Sequence, residues 1–188
     1  MRTLLFTIAA LLISSVTFAQ HPANNASKNE TLVAVYSYSG NTRHVALQIQ
    51  KGVGDADFFE IKPVKPYSQD YNECVNQAKK EINDNYRPEL ADFPKNINQY
   101  KTIFIGSPNW WGTMAPPVAT FIEKCGSLKG VKVVPFFTHG GGGMQNCEKD
   151  VKAMAEKAGA TVLQGKTWSG YSATSLTTEV QDWAKSVK

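Results

Sequence analysis

The segment Leu32-Val-Ala-Val-Tyr-Ser-Tyr-Ser-Gly-Asn-Thr-Arg43 carries the fold signal of this chain. An apolar run from Leu32 to Tyr36 gives way to hydroxyl, glycine and amide side chains, and a helical pattern resumes from Arg43. That order predicts a strand, a tight loop and a helix N-terminus in direct succession. Such a loop aims backbone N–H groups and hydroxyls at one point, where the helix dipole also favours negative charge. The expected guest is a phosphate. The segment has neither the glycine spacing and lysine of a nucleoside-triphosphate loop nor the GxGxxG of a dinucleotide fold. A hydroxyl-rich loop without lysine suits a single terminal phosphomonoester.

Working outward, the periodicity alternates between strand and helix. Val45, Ala46 and Ile49 continue the first helix toward stops at Gly52 and Gly54. Further strands are expected over Asp57 to Ile61, Thr102 to Ile105, Val131 to Phe137 and Thr161 to Leu163. Between them, Ser68 is expected to cap a helix with the apolar face Tyr71, Cys74, Val75, Ala78 and Ile82. Pro116 and Pro117 open another helix through Val118, Phe121 and Ile122. Two more run from Asn146 to Ala158 and from Glu179 to Val187. Strands separated by helix-length crossovers give a parallel sheet. The expected fold class is α/β, a three-layer, doubly wound, five-stranded parallel sheet in the order 2-1-3-4-5.

Ligands of open α/β sheets sit beyond the carboxyl ends of the strands. Three unusual loops fall there: 37–42, 107–113 and 138–144. The second supplies Trp110 and Trp111, flat surfaces suited to a planar heteroaromatic ring. The third supplies glycine backbone that can approach a ring edge closely. Each has a plain alternative: a helix cap, a core tryptophan pair, a flexible glycine loop. Their coincidence at three strand ends favours a binding site.

The N-terminus reads as an export signal. Arg2 is a positive n-region, Leu4 to Ile13 an apolar stretch, and Thr17-Phe18-Ala19 a cleavage site. The expected organisation is a signal peptide over 1–19, a polar disordered leader over 20–30 and one domain over 31–188, exported to a periplasm or secreted. An uncleaved N-terminal anchor is the alternative. The chain has 188 residues and a net charge of +4 without runs of like charge, which does not argue for nucleic acid or anionic lipid as partners, and no stable membrane insertion is expected after signal cleavage. Cys74, Cys125 and Cys147 show no CxxC or metal-ligand spacing, and an oxidising compartment permits one disulfide among them.

The chain resembles the flavodoxins, within them the branch carrying a Pro-x-Trp-Trp-Gly loop. The matching residues are Tyr38-Ser-Gly-Asn-Thr42, Tyr67 with Asp70-Tyr71, Arg87-Pro-Glu-Leu90, Tyr100, Gly106-Ser-Pro-Asn-Trp-Trp-Gly112, Phe121-Ile-Glu123 and Phe137-Thr-His-Gly-Gly141. Flavodoxin is itself the standard example of the 2-1-3-4-5 order, with flavin mononucleotide (FMN) at the switch between the first and third strands. The resemblance implies a non-covalent FMN and a redox role. By the match, Ser37, Ser39, Gly40, Asn41 and Thr42 would bind the phosphate, with Tyr38 in the same loop. Pro108, Asn109, Trp110, Trp111 and Gly112 would hold the isoalloxazine together with Thr138, His139, Gly140, Gly141 and Gly142. Which tryptophan stacks is left open.

The implied role is an electron carrier working with a redox partner protein or a small electron donor or acceptor, with no catalytic residues of its own. The alternatives are an NAD(P)H-dependent quinone or flavin reductase on the same fold, and an exported domain without flavin. Flavodoxins that shuttle electrons are usually acidic, whereas this chain is mildly basic and its ring-facing loops contain no Asp or Glu. Reduction of the flavin is therefore expected to be less difficult than in acidic homologues. His139 is expected to order its loop through a hydrogen bond.

Overall fold

The computed structural model describes residues 29–187 apart from 171 and 174. The proposed signal peptide and most of the leader lie outside these residues. Asn29 and Glu30, the leader's last two positions, are tied to the sheet: Asn29 donates to Asp57 Oδ1 at 2.8 Å, and the Glu30 carbonyl accepts from the N–H groups of Lys101 and Thr102.

The strands are β1 (Thr31–Val35), β2 (Asp57–Glu60), β3 (Thr102–Trp110), β4 (Thr113–Met114), β5 (Lys132–His139), β6 (Thr161–Val162) and β7 (Lys166–Ser169). The helices are α1 (Asn41–Val53), α2 (Tyr71–Asn83), α3 (Pro116–Lys124), α4 (Cys147–Lys157) and α5 (Thr177–Val187). The sheet runs β2-β1-β3-β5-β6, all parallel, with β7 also pairing β5 and β4 folding back antiparallel on β3. Counting β6 and β7 as halves of one fifth strand, this is the expected 2-1-3-4-5 order.

Side chains alternate across the sheet with period two, as pleating requires. Leu32, Ala34, Ile103, Ile105, Val133 and Phe137 join the core under α2, α3 and α4. Val33, Val35, Phe104, Val134 and Phe136 join the core under α1 and α5. Gly106 lies opposite Phe136, and a Cβ there would sit 2.2 Å from that ring. Bare backbone at Gly106 is what leaves room for the tip of that ring.

Three features depart from the sequence expectation. The fifth strand was expected only over Thr161 to Leu163; it breaks and resumes as β7. Odd-numbered residues of β5 face this neighbour, since Val131, Val133 and His139 carbonyls accept from Thr161, Leu163 and Gly170. Pro135 falls in that series and has no N–H to give. The partner strand bulges opposite it: Val133 pairs Val162 but Phe136 pairs Lys166, and the Gly165 N–H turns to Glu148 Oε1 at 2.6 Å instead.

The cap of α2 is Asp70, not Ser68. The Asp70 carboxylate accepts from the Glu73 N–H at 2.9 Å, while the Ser68 hydroxyl accepts from the Asp70 N–H and donates to Glu73 Oε2. Finally, β3 extends past Pro108 into a two-residue hairpin with β4. Its central residues, Trp111 and Gly112, both have positive φ, 53° and 87°, as such tight hairpins demand.

Candidate flavin site

At the end of β1 the chain turns through residues 36–40 into α1. Gly40 occupies the helix N-cap with φ 91°, a left-handed conformation that a side chain would strain, and no side chain caps the helix. The first helical bond is His44 N–H to Gly40 O at 2.9 Å, so the N–H groups before it point forward without helical partners. The Ser37 hydroxyl is buried and meets no hydrogen-bond partner among the described residues. A buried unpaired hydroxyl costs about 1–3 kcal/mol, and an oxyanion here would satisfy it. Thr42 differs: it is buried and its hydroxyl lies 2.8 Å from that of Thr138, so it fastens α1 to the end of β5.

The cavity ahead of this loop measures about 550 Å³, within the range of sites that enclose small organic ligands. Ten residues singled out from sequence line it: Tyr38, Ser39, Asn41, Pro108, Asn109, Trp110, Trp111, Thr138, His139 and Gly140. Ser37, Gly40, Thr42, Gly112, Gly141 and Gly142 are not among its lining residues. Five lining residues were missed: Tyr71, Cys74, Val75 and Ala78 of α2, and Gly170 after β7. The spacing of the α2 residues signals a helical face, but does not say whether core or cavity lies opposite. Gly170 follows a strand the sequence did not reveal. A Cβ there would approach Asn41 Nδ2 to 2.7 Å.

The ring-facing loops are bonded chiefly to each other. Asn109 Oδ1 accepts from the Gly112 N–H at 2.9 Å, and its Nδ2 donates to the Gly143 carbonyl at 2.8 Å and to Gln145 Oε1 at 3.2 Å. The Asn146 N–H reaches the Gly112 carbonyl at 2.9 Å. Asn109 thus fixes the hairpin to the glycine loop. His139 Nδ1 accepts from the Gly141 N–H at 3.0 Å, the loop-ordering bond expected of it. Ser107, fully buried, accepts from the Ala115 N–H at 2.9 Å and donates to the Pro108 carbonyl.

The two tryptophans have separate surroundings. Trp110 is held edge-on by Tyr67 at 4.9 Å, Tyr36 at 5.4 Å and Tyr38 at 6.0 Å between ring centroids. Trp111 is 53% exposed, with its indole N–H on the Val75 carbonyl at 3.1 Å and the Lys79 ammonium 4.7 Å above its ring. Tyr71, expected in the helix core, is 72% exposed at the cavity mouth. All three cysteines are free and buried. Burial pushes the Cys125 and Cys147 thiols up to about 12. Cys74, on the cavity wall, is raised by burial and by the Glu81 carboxylate, partly offset by its bond to the Tyr38 hydroxyl.

The sequence matches the flavodoxin family over residues 30–187. The chain belongs to the flavodoxin family. The flavodoxin assignment agrees with solved structures of similar fold. A candidate flavoprotein from Bacteroides eggerthii is 30% identical, covers 85% of this chain and 99% of its own, and has a TM-score of 0.70. A second from Bacteroides uniformis is 30% identical over 84% and 98%, at 0.69. A flavoprotein from Lactobacillus acidophilus, solved in complex with FMN, is 27% identical over 74% and 93%, at 0.66. Among functionally curated proteins none matches significantly in sequence.

Proposed function

We propose that this flavodoxin-family protein binds FMN non-covalently, phosphate at the 37–42 loop and ring against the 107–113 and 138–144 loops, and acts as an electron carrier. The observation that carries the reading is the buried, unpartnered Ser37 hydroxyl beside an uncapped helix N-terminus, in a turn whose Ser39 and Asn41 line an aromatic-walled cavity of about 550 Å³. The FMN complex of the Lactobacillus relative supports the choice of cofactor. FMN, when bound, supplies one- or two-electron transfer; the protein binds it, sets its electrostatics and admits the partner. Ser37 and the α1 N–H groups hold the phosphate, and the Asn109 bonds keep the wall in place. The absorption spectrum of purified protein titrated with FMN tests this. A perturbed flavin band with saturable binding is expected, and no binding leaves an exported domain without flavin.

A reductase on the same scaffold is the second reading. The exposed Trp111 and Tyr71 at the cavity mouth favour it, because they offer apolar surface to a second planar ring. Fast stopped-flow bleaching of the loaded protein by NADH or NADPH supports this reading, and negligible bleaching supports the carrier. We also propose export with cleavage after Ala19. The mature N-terminus, read by mass spectrometry of the extracytoplasmic fraction, is expected at Gln20.

A further inference from the structure

Glu81 is the one charged residue among the buried side chains of the described residues, at 9% exposure. Both its carboxylate oxygens accept hydrogen bonds, Oε2 from the Tyr67 hydroxyl and Oε1 from Gln77 Nε2 at 2.8 Å. Both oxygens are thus met by donors from neutral side chains. No Lys or Arg nitrogen among the described residues lies within ion-pair distance of it. An ion so placed is costly to keep without a counter-charge.

Its position faces the cavity wall. Glu81 lies one turn beyond Ala78 and two beyond Cys74, both cavity-lining residues of α2. Its partner Tyr67 packs edge-on against Trp110, which lines the same cavity. After burial, which dominates, the Glu81 carboxylate adds to the upward shift of the Cys74 thiol on the wall and of the Tyr36 hydroxyl, whose ring packs on Trp110. The exposed Lys79 ammonium at the mouth is screened by water and offsets little of this.

We infer that Glu81 is the buried charge that sets how this protein discriminates reduced from oxidised FMN, acting from behind the Tyr67–Trp110 wall. This rests on the FMN reading above. FMN that has gained two electrons and one proton carries one more negative charge on its ring than the oxidised form. A fixed carboxylate behind the wall weakens binding of that form selectively. The ring-facing loops contain no acid, so α2 supplies from tertiary structure the charge absent from the local sequence.

The test compares dissociation constants for oxidised and photoreduced FMN in the wild type, Glu81→Gln and Glu81→Met. Glutamine keeps the shape and one acceptor oxygen and removes the charge; methionine removes the charge and both acceptors. The ratio of reduced to oxidised dissociation constants is expected to fall several-fold to roughly tenfold in each variant, the scale of one partly screened charge. A merely structural role leaves the ratio unchanged: glutamine then binds both forms as the wild type does, and methionine weakens both equally. An unchanged ratio in whichever variant folds overturns the inference while leaving FMN binding intact. A wild type that binds no oxidised FMN overturns the FMN reading and this inference together.

Discussion

The two ends of the cavity are built on opposite principles. At the loop end the hydroxyl of Ser37 has no partner among the described residues and α1 has no side-chain cap, while Thr42 is tied to Thr138 and the Tyr38 hydroxyl to the Ser68 carbonyl. At the ring end the polar groups are consumed internally, with Asn109 holding Gly112, Gly143 and Gln145, and His139 holding Gly141. On the proposed reading, the first end would select its ligand by chemistry and the second by shape. Losses at the wall should therefore register as stability, and losses at the loop as affinity.

The largest effect is expected for Asn109→Ala, which strips bonds from the Gly112 N–H and the Gly143 carbonyl. Urea unfolding should show a loss of about 2–3 kcal/mol at an unchanged slope, with FMN binding weakened as well. If stability is untouched and only binding disappears, Asn109 is a ligand contact and the contrast fails. Cys147, the first residue of α4 behind this loop, sharpens the reading. Its thiol, held near 12 by burial, should resist a disulfide reagent at pH 8 in the wild type, because the reactive thiolate is scarce below that value. Labelling should speed up in Asn109→Ala if the wall opens.

Gly40→Ala comes next. The Cβ meets no atom within 4 Å, so the cost is backbone strain alone, about 1–2 kcal/mol in unfolding free energy. Ser37→Ala should split the two measurements. Stability without flavin should hold or rise slightly, because an unsatisfied hydroxyl is removed, while FMN affinity falls roughly tenfold. A parallel loss of stability would mean the hydroxyl already has a partner. His139→Ala should do least, costing under about 1 kcal/mol and leaving the protein able to retain flavin through purification. A colourless His139→Ala preparation would place the imidazole on the ring itself.

The succession of strands and helices, and the helix after β1, were readable in sequence because they rest on local signals; the strand order followed from the crossover rule. Leu32 to Tyr36 is a continuous apolar run, Pro116-Pro117 opens a helix, and glycines stop one. The split fifth strand was not readable, because its cause sits on another strand: Pro135 withholds an N–H from a neighbour some thirty residues on. Ser68 looked the better cap for α2, and both side chains do bond there. Which one closes the helix depended on where the first turn began.

The site divides the same way. Hydroxyls, glycines and tryptophans at three strand ends announced a cavity for a phosphorylated planar ligand, and the parallel topology brings those ends together. Nothing local distinguishes Tyr71, Cys74 and Val75 from an ordinary buried helix face, or reveals that Asn109 spends its amide on the next loop.

By itself the sequence determined the alternation of strand and helix, the tight turn into α1 and the side-chain types at the strand ends, because each depends on neighbours within a few residues. Tertiary structure decided which side of α2 faces the cavity, that Trp110 is enclosed by tyrosines while Trp111 is exposed, and that Glu81 is buried with no cation paired to it among the described residues. These are outcomes of packing between segments far apart in the chain, where burial and pairing are fixed only when the layers meet.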